Sequence, residues 1–315
     1  YKYVNNGMDL NEFKIIFYVE YIHRIFARFL GIFFIIPLIY FIYSKKIKTN
    51  EYKSYLLISL LFISQALIGW YMVKSGLVNE PSVSHYRLSF HLILALALFS
   101  SCYYKYLLTI KYDIRFIKRD NNYLVTKGKI NKLFILSCVI LLLLILQILL
   151  GGFVAGLKAG MIYNNFPYMT DNGDYLPDIL NNPTIISFRE RNNSILQELN
   201  FLLSNPEIIQ FMHRVNAFFV STLIICSYYY NYKFSKESNN TKACRNLDIY
   251  NNNMIITLIL QFTVGVLTII YKVPTIPALI HQILAFILFA SIMNIIHYYQ
   301  YILTYKHYGI PKTDR

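Results

Sequence analysis

Glu20-Tyr21-Ile22-His23-Arg24 and Gln210-Phe211-Met212-His213-Arg214 are two versions of one pentapeptide. In each, an acid or its amide stands three residues before a histidine, and an arginine follows. The agreement continues downstream. His91 follows His23 by 68 residues, and His281 follows His213 by 68. Between them, Gln65/Gly69 matches Gln261/Gly265 as Gln-x3-Gly. Self-similarity of this kind marks a duplicated architecture. A third Gln-x3-Gly, Gln147/Gly151, has no counterpart ahead of Glu20. The repeat therefore predicts one more helix ahead of the start at Tyr1.

The repeated unit is made of bilayer-length segments. Of the 315 residues, 56% are hydrophobic and 15% are charged. An ordinary soluble domain has about 25% charged residues. Mean hydropathy is +0.41. Disorder and nucleic-acid binding are excluded, and a soluble enzyme is disfavoured by the length of the apolar runs. Crossing a bilayer takes about 20 mostly apolar residues. Seven runs qualify, at 18–43, 55–74, 88–110, 133–153, 207–232, 253–272 and 279–304. Helices satisfy their own backbone in lipid, so each run reads as a helix.

Charge orients them. Lys45, Lys46 and Lys48 follow the first run. Arg115, Lys118, Arg119, Lys127, Lys129 and Lys132 follow the third. Lys233, Lys236, Lys242 and Arg245 follow the fifth, and Lys306, Lys312 and Arg315 lie in the tail. Basic loops stay on the cytoplasmic or matrix side. This places the net charge of +14 inside and residue 1 outside. An outside start without a signal peptide again asks for a preceding helix. The expected fold is an all-α polytopic bundle of two pseudo-symmetric four-helix halves in parallel repeat. Residues 1–132 supply three of four helices and residues 133–315 supply the second half. The four cysteines, Cys102, Cys138, Cys226 and Cys244, have no zinc or disulfide spacing; Cys244 reads as a residue of a basic loop.

His23, His91, His213 and His281 all fall near the outer ends of their segments, about one turn inside the membrane. Ionisable groups there point to function by default. Two histidines on facing helices suit a metal or both axial positions of a haem. No Cys, Asp or second His completes a compact metal cage, so a porphyrin in each half is favoured. Glu20 shares a helical face with His23, and Gln210 replaces it in the second half. A carboxylate at membrane depth is costly. The first half is thus read as doing chemistry and the second as carrying a permanent cofactor. Arg24, Arg87 and Arg214 are placed to meet carboxylates such as propionates. His85, a loop residue, and His297 and His307, toward the inner end, are read as structural. The glycine-dense run 151–167 reads equally as a lid over a ligand or as a close-packed helix end.

These residues resemble the haem A synthase family. The resemblance rests on EYIHR (20–24), GWYMVKSGL (69–77), VSHYRLSFHL (83–92), GGFVAGLKAGMIYNNFPYM (151–169), FMHR (211–214) and HQ (281–282). It is nearer the type found in mitochondria and alphaproteobacteria, since no cysteine pair falls in the outer loops. It implies an oxidoreductase that converts the C8 methyl of haem O to the formyl of haem A for cytochrome oxidase biogenesis. It implies haem b on His213 and His281, substrate haem iron on His23 and His91, and a catalytic Glu20. It also implies an electron donor such as ferredoxin, haem O synthase as supplier, and room for a homo-oligomer. The implied location is a bacterial inner membrane or the mitochondrial inner membrane. The family's first helix and the loop after it, with an arginine-bearing motif, have no match here, and His85 stands where proline is usual. The alternative is a di-haem b-type cytochrome with bis-histidine ligation that carries electrons. Four histidines on one side disfavour transmembrane transfer, and the Glu20/Gln210 asymmetry favours chemistry.

Overall fold

The computed structural model describes residues 9–76, 83–112, 123–181, 194–237 and 241–304. Tyr1, Arg115, Lys118, Arg119, Lys306, His307, Lys312 and Arg315 lie outside them. The described chain is helical, in the order α1 Leu10–Tyr43, α2 Tyr52–Gly76, α3 His85–Leu107, α4 Tyr123–Gly156, α5 Ile195–Ser204, α6 Pro206–Glu237, α7 Thr241–Ile270 and α8 Thr275–Thr304. Seven of these, all but α5, are long and apolar enough to cross a membrane. The expectation of an all-α polytopic protein holds.

Helices α4, α6, α7 and α8 close a ring, each packing on two others. Its core comprises Ile140, Leu144, Ile148, Val220, Ile224, Met254, Leu258, Leu288 and Ile292. Helix α3 packs on the outside of this ring against α4 and α8, and α2 packs on α3. Helix α1 is different: none of its apolar window is buried. It meets α2 through the Phe34–Phe62 ring stack, at 4.6 Å between centroids.

Several helix bounds differ from the sequence reading. α4 and α7 begin about three turns earlier than their apolar runs. Lys127, Lys129, Lys132 and Arg245 are therefore on helices rather than in loops, and buried Cys244 is on α7. Long basic side chains tolerate such positions because their heads snorkel to the interface. No cysteine among the described residues is in a disulfide. His85 is the first residue of α3, not a loop residue. A Cβ on Gly156 would come within 2.6 Å of the Cα of His85, and one on Gly152 within 2.7 Å of Ser89 Oγ. Small residues one turn apart on α4 thus let two backbones touch, the usual way membrane helices associate.

The start of α6 is encoded locally. Asn205 Oδ1 accepts from the backbone N–H of Glu207 (3.0 Å) and Ile208 (3.1 Å), and Pro206 occupies the first helical turn. At the inner end, buried polar side chains tie the ring together. Tyr299 donates to Asn231 Oδ1 at 2.7 Å, and Asn231 Nδ2 donates to Asn251 Oδ1 at 3.1 Å. Buried His297 sits in the same layer, its Nδ1 at 3.2 Å from the Tyr112 hydroxyl. That is the structural role its sequence position suggests.

Candidate haem-binding site

Three of the four histidines are held by one device, used three times. A Gln and a Gly one turn apart on one helix face the imidazole of the next. Gln65 Nε2 lies 3.1 Å from His91 Nε2, and a Cβ on Gly69 would stand 3.2 Å from His91 Cε1. Gln261 Nε2 lies 3.3 Å from His281 Nε2, and a Cβ on Gly265 would stand 2.7 Å from His281 Cε1. Gln147 Nε2 lies 3.1 and 3.2 Å from the two ring nitrogens of His213, and donates to the His213 carbonyl at 3.0 Å. A Cβ on Gly151 would stand 3.3 Å from His213 Cε1. The physical reason for Gln-x3-Gly is therefore plain. The glycine lets the ring approach the helix, and the amide one turn away meets its nitrogen.

His213 and His281 are close enough to interact electrostatically, and so are His91 and His23. His91, His213 and His281 are half-buried, while His23 on α1 is exposed.

The arginines have separate uses. Arg24 pairs with Glu20 one turn away, both nearly half exposed. Arg87 lies over the Tyr71 ring, 4.8 Å from its centroid. Arg214 is buried and grips a loop. Its Nη1 donates to the carbonyls of Asn165 (2.9 Å) and Tyr168 (3.0 Å), and its Nη2 donates to that of Tyr163 (2.7 Å). Gln210 Nε2 donates to the same Tyr163 carbonyl at 2.8 Å. The Tyr163 hydroxyl donates to Glu207 Oε2 at 2.6 Å, and the Ile179 N–H donates to that oxygen at 3.2 Å. Glu207, Gln210 and Arg214, spaced three and four apart, form one helical face that holds the outer loop. Burial, then the bond to Glu207, push the Tyr163 phenol up to about 12.

This loop answers the question posed by the glycine-dense run. Its first part is a close-packed helix end, with Gly151 against His213, Gly152 against Ser89 and Gly156 against His85. Its second part, through the cis Phe166–Pro167 bond, is a strap across the outer end of the second half. The Phe166 ring meets Phe218 of α6 and Phe262 of α7, at 6.3 and 6.0 Å between centroids.

Sequence reasoning missed α5. Its signal was present: Ser194 and Gln197 form a reciprocal capping box. Ile195, Leu196 and Leu199 are exposed on it. Its Asn200 accepts from Tyr86 of α3 at 2.8 Å. The clamping role of Glu207 was also missed, because a lone acid in an acidic loop carries no pattern.

The donor set fits a haem. Gln65 Oε1, His91 Nδ1, Gln210 Oε1, Arg214 Nε and Gln261 Oε1 are buried without hydrogen-bond partners at this level. Such groups are rare unless something else meets them. Among the described residues no group of three or more His, Cys, Asp or Glu could hold a metal ion, so paired imidazoles are what the site offers.

The comparisons with known proteins agree with this geometry. The family model described as cytochrome oxidase assembly protein matches residues 1–293. A haem A synthase of Rickettsia bellii is 38% identical over 296 residues, covering 93% of this chain and 78% of its own. The chain belongs to the haem A synthase family. One from Ehrlichia ruminantium is 34% identical, covering 95% of this chain and 75% of the relative. One from Orientia tsutsugamushi is 35% identical, covering 94% and 79%. With seven helices of membrane-crossing length, the chain is a multi-pass inner-membrane protein of this family.

Proposed function

We propose that this protein is a haem A synthase that oxidises the C8 methyl of haem O to a formyl group. The observation that carries the reading is the paired imidazoles, three of them held by the same Gln/Gly device, in a chain of this family. His213 and His281 would hold haem b in the half spanning 133–315. A haem b there supplies reversible one-electron chemistry at its iron. His23 and His91 would hold the substrate haem in the half spanning 1–132.

The chain's own residues then divide the work. Converting a methyl to a formyl group takes up oxygen and releases protons and electrons. Glu20, one turn from His23 and paired to Arg24, would accept and pass on those protons at its carboxylate. Arg24 holds the carboxylate on the His23 face. Arg87 is close to His91 and suits a substrate propionate. Arg214 keeps Nε free of hydrogen bonds while its Nη atoms fasten the strap, so one edge remains for a cofactor carboxylate. The strap itself covers the cofactor half from outer water. Ferredoxin as electron donor, haem O synthase as supplier and a homo-oligomeric state belong to the same reading.

The test is pigment extraction after co-expression with a haem O source, followed by mass analysis. A formyl-bearing haem should accumulate with this chain and disappear in Glu20→Gln. An unchanged haem O pool with the unsubstituted chain would overturn the reading.

A further inference from the structure

His91 and His281 occupy equivalent repeat positions, and Gln65 and Gln261 meet them equivalently. Their second ring nitrogens differ. An amide N–H2 only donates, so the imidazole atom that it meets carries the lone pair. In both cases that atom is Nε2, at 3.1 Å for His91 and 3.3 Å for His281. Each neutral ring then carries its proton on Nδ1, and Nε2 is the atom that iron would take in place of the amide contact. In His281 this proton is given away: Nδ1 donates to the backbone carbonyl of Gln261 at 3.1 Å. In His91, Nδ1 is buried and has no partner.

The glycines report the same difference independently. The His281 ring is tucked so close that a Cβ on Gly265 would meet Cε1 at 2.7 Å and Nδ1 at 3.1 Å. At Gly69 the corresponding distances to His91 are 3.2 and 3.9 Å. The first-half ring stands off its helix, beyond reach of the carbonyl that its counterpart uses.

We propose that this one hydrogen bond sets how long each half keeps its haem. It rests on the haem reading above. A hydrogen bond from the distal N–H of a ligating histidine raises ligand basicity and fixes the ring. Removing such a partner typically costs about 10–100-fold in metal affinity. His281, locked to a main-chain carbonyl, is a retaining ligand. His91, whose Nδ1 has no such acceptor, is a releasing ligand, as a site that must hand over its product requires. The Gln261 carbonyl is a positioning group, acting on iron only through the imidazole.

Gly69→Ser tests this, with Gly69→Ala as its steric control. At that position a hydroxyl reaches Nδ1 as an acceptor while donating to the i−4 carbonyl. The full chain is loaded with protohaem, and release to excess apomyoglobin is followed at the Soret band. His91→Ala and His281→Ala assign the two phases. The fast phase should belong to His91 and be at least about 10-fold faster than the slow one. Gly69→Ser should slow the fast phase about 10-fold relative to Gly69→Ala, with the slow phase unchanged. Equal fast phases in the two variants would overturn the proposal while leaving the haem reading intact. If protohaem does not bind, or binds without either histidine, the haem reading falls and the proposal with it. Should either Gly69 variant fail to fold, ¹⁵N-histidine spectra of the unsubstituted, haem-free chain decide. The His281 Nδ1–H should be shifted far downfield and that of His91 should not; matching shifts overturn the proposal.

Discussion

Helices α1–α3 and α6–α8 carry the same His, Gln and Gly pattern but are built to different tolerances. Around His213 and His281, Gln147, Gln210, Arg214 and Gln261 each make at least one hydrogen bond that fixes them, while Gln210 Oε1, Arg214 Nε and Gln261 Oε1 are left without partners. Gln147 is oriented by Asn216, whose Nδ2 donates to Gln147 Oε1 at 2.8 Å, and His281 is bonded to a main-chain carbonyl. Gln210 and Arg214 fasten the strap. Around His23 and His91 the equivalent positions are looser. Glu20 and Arg24 pair with each other, half exposed, and Phe26 stands where the second half has Asn216. The repeated histidines thus share their ligating group and differ in what holds them.

The Glu20/Gln210 difference shows why the asymmetry is more than the loss of an acid. Gln210 donates to the Tyr163 carbonyl. A carboxylate there could only present lone pairs to lone pairs. The amide therefore suits the strap contact in a way an acid would not.

The comparison breaks most sharply at Glu20. Glu20→Gln makes the first half resemble the second, and haem A output should fall at least about 100-fold if proton transfer is its role. Bound haem b, measured as the pyridine haemochrome, should stay unchanged.

Next come the glycines. Gly265→Ala puts a methyl 2.7 Å from His281 Cε1, a strain of about 1–3 kcal/mol, and should deplete bound haem b. Gly69→Ala meets its ring at 3.2 Å and should leave haem b content intact while weakening substrate-haem uptake. Haem content and thermal unfolding of the two purified variants check both expectations.

Gln210→Glu should be milder. It removes one of the two donors to the Tyr163 carbonyl, with Arg214 Nη2 remaining, a loss of about 0.5–1.5 kcal/mol. Hydrogen exchange over residues 160–179 should speed up while the inner ends of α4 and α6 stay protected.

The smallest effect is the strap's pH dependence. Tyr163 ionises near 12 in the folded chain, above its ordinary value near 10. Its contribution is therefore complete below about pH 10 and is lost as pH rises through 12. Limited proteolysis of the strap should increase across that window, and Tyr163→Phe should remove the dependence.

Much of this was readable from the chain. The seven membrane-length helices followed from apolar run length, and the histidine level from the repeat, because both are periodic. Gln-x3-Gly was visible as a signature. Its purpose was not, since nothing in a sequence says that Gly265 and His281 touch. The helical extensions of α4 and α7 were hidden because Lys and Arg at helix ends read as loops. The strap's anchors were hidden for another reason. Arg214 bonds to backbone carbonyls, which have no side-chain identity for a pattern to record.

The most direct measurement is haem b content per chain in His281→Ala against His91→Ala, each purified as full-length membrane protein. The expected result is loss of haem b in His281→Ala and near-normal haem b in His91→Ala. Retention in His281→Ala with loss in His91→Ala would contradict the assignment of the two halves.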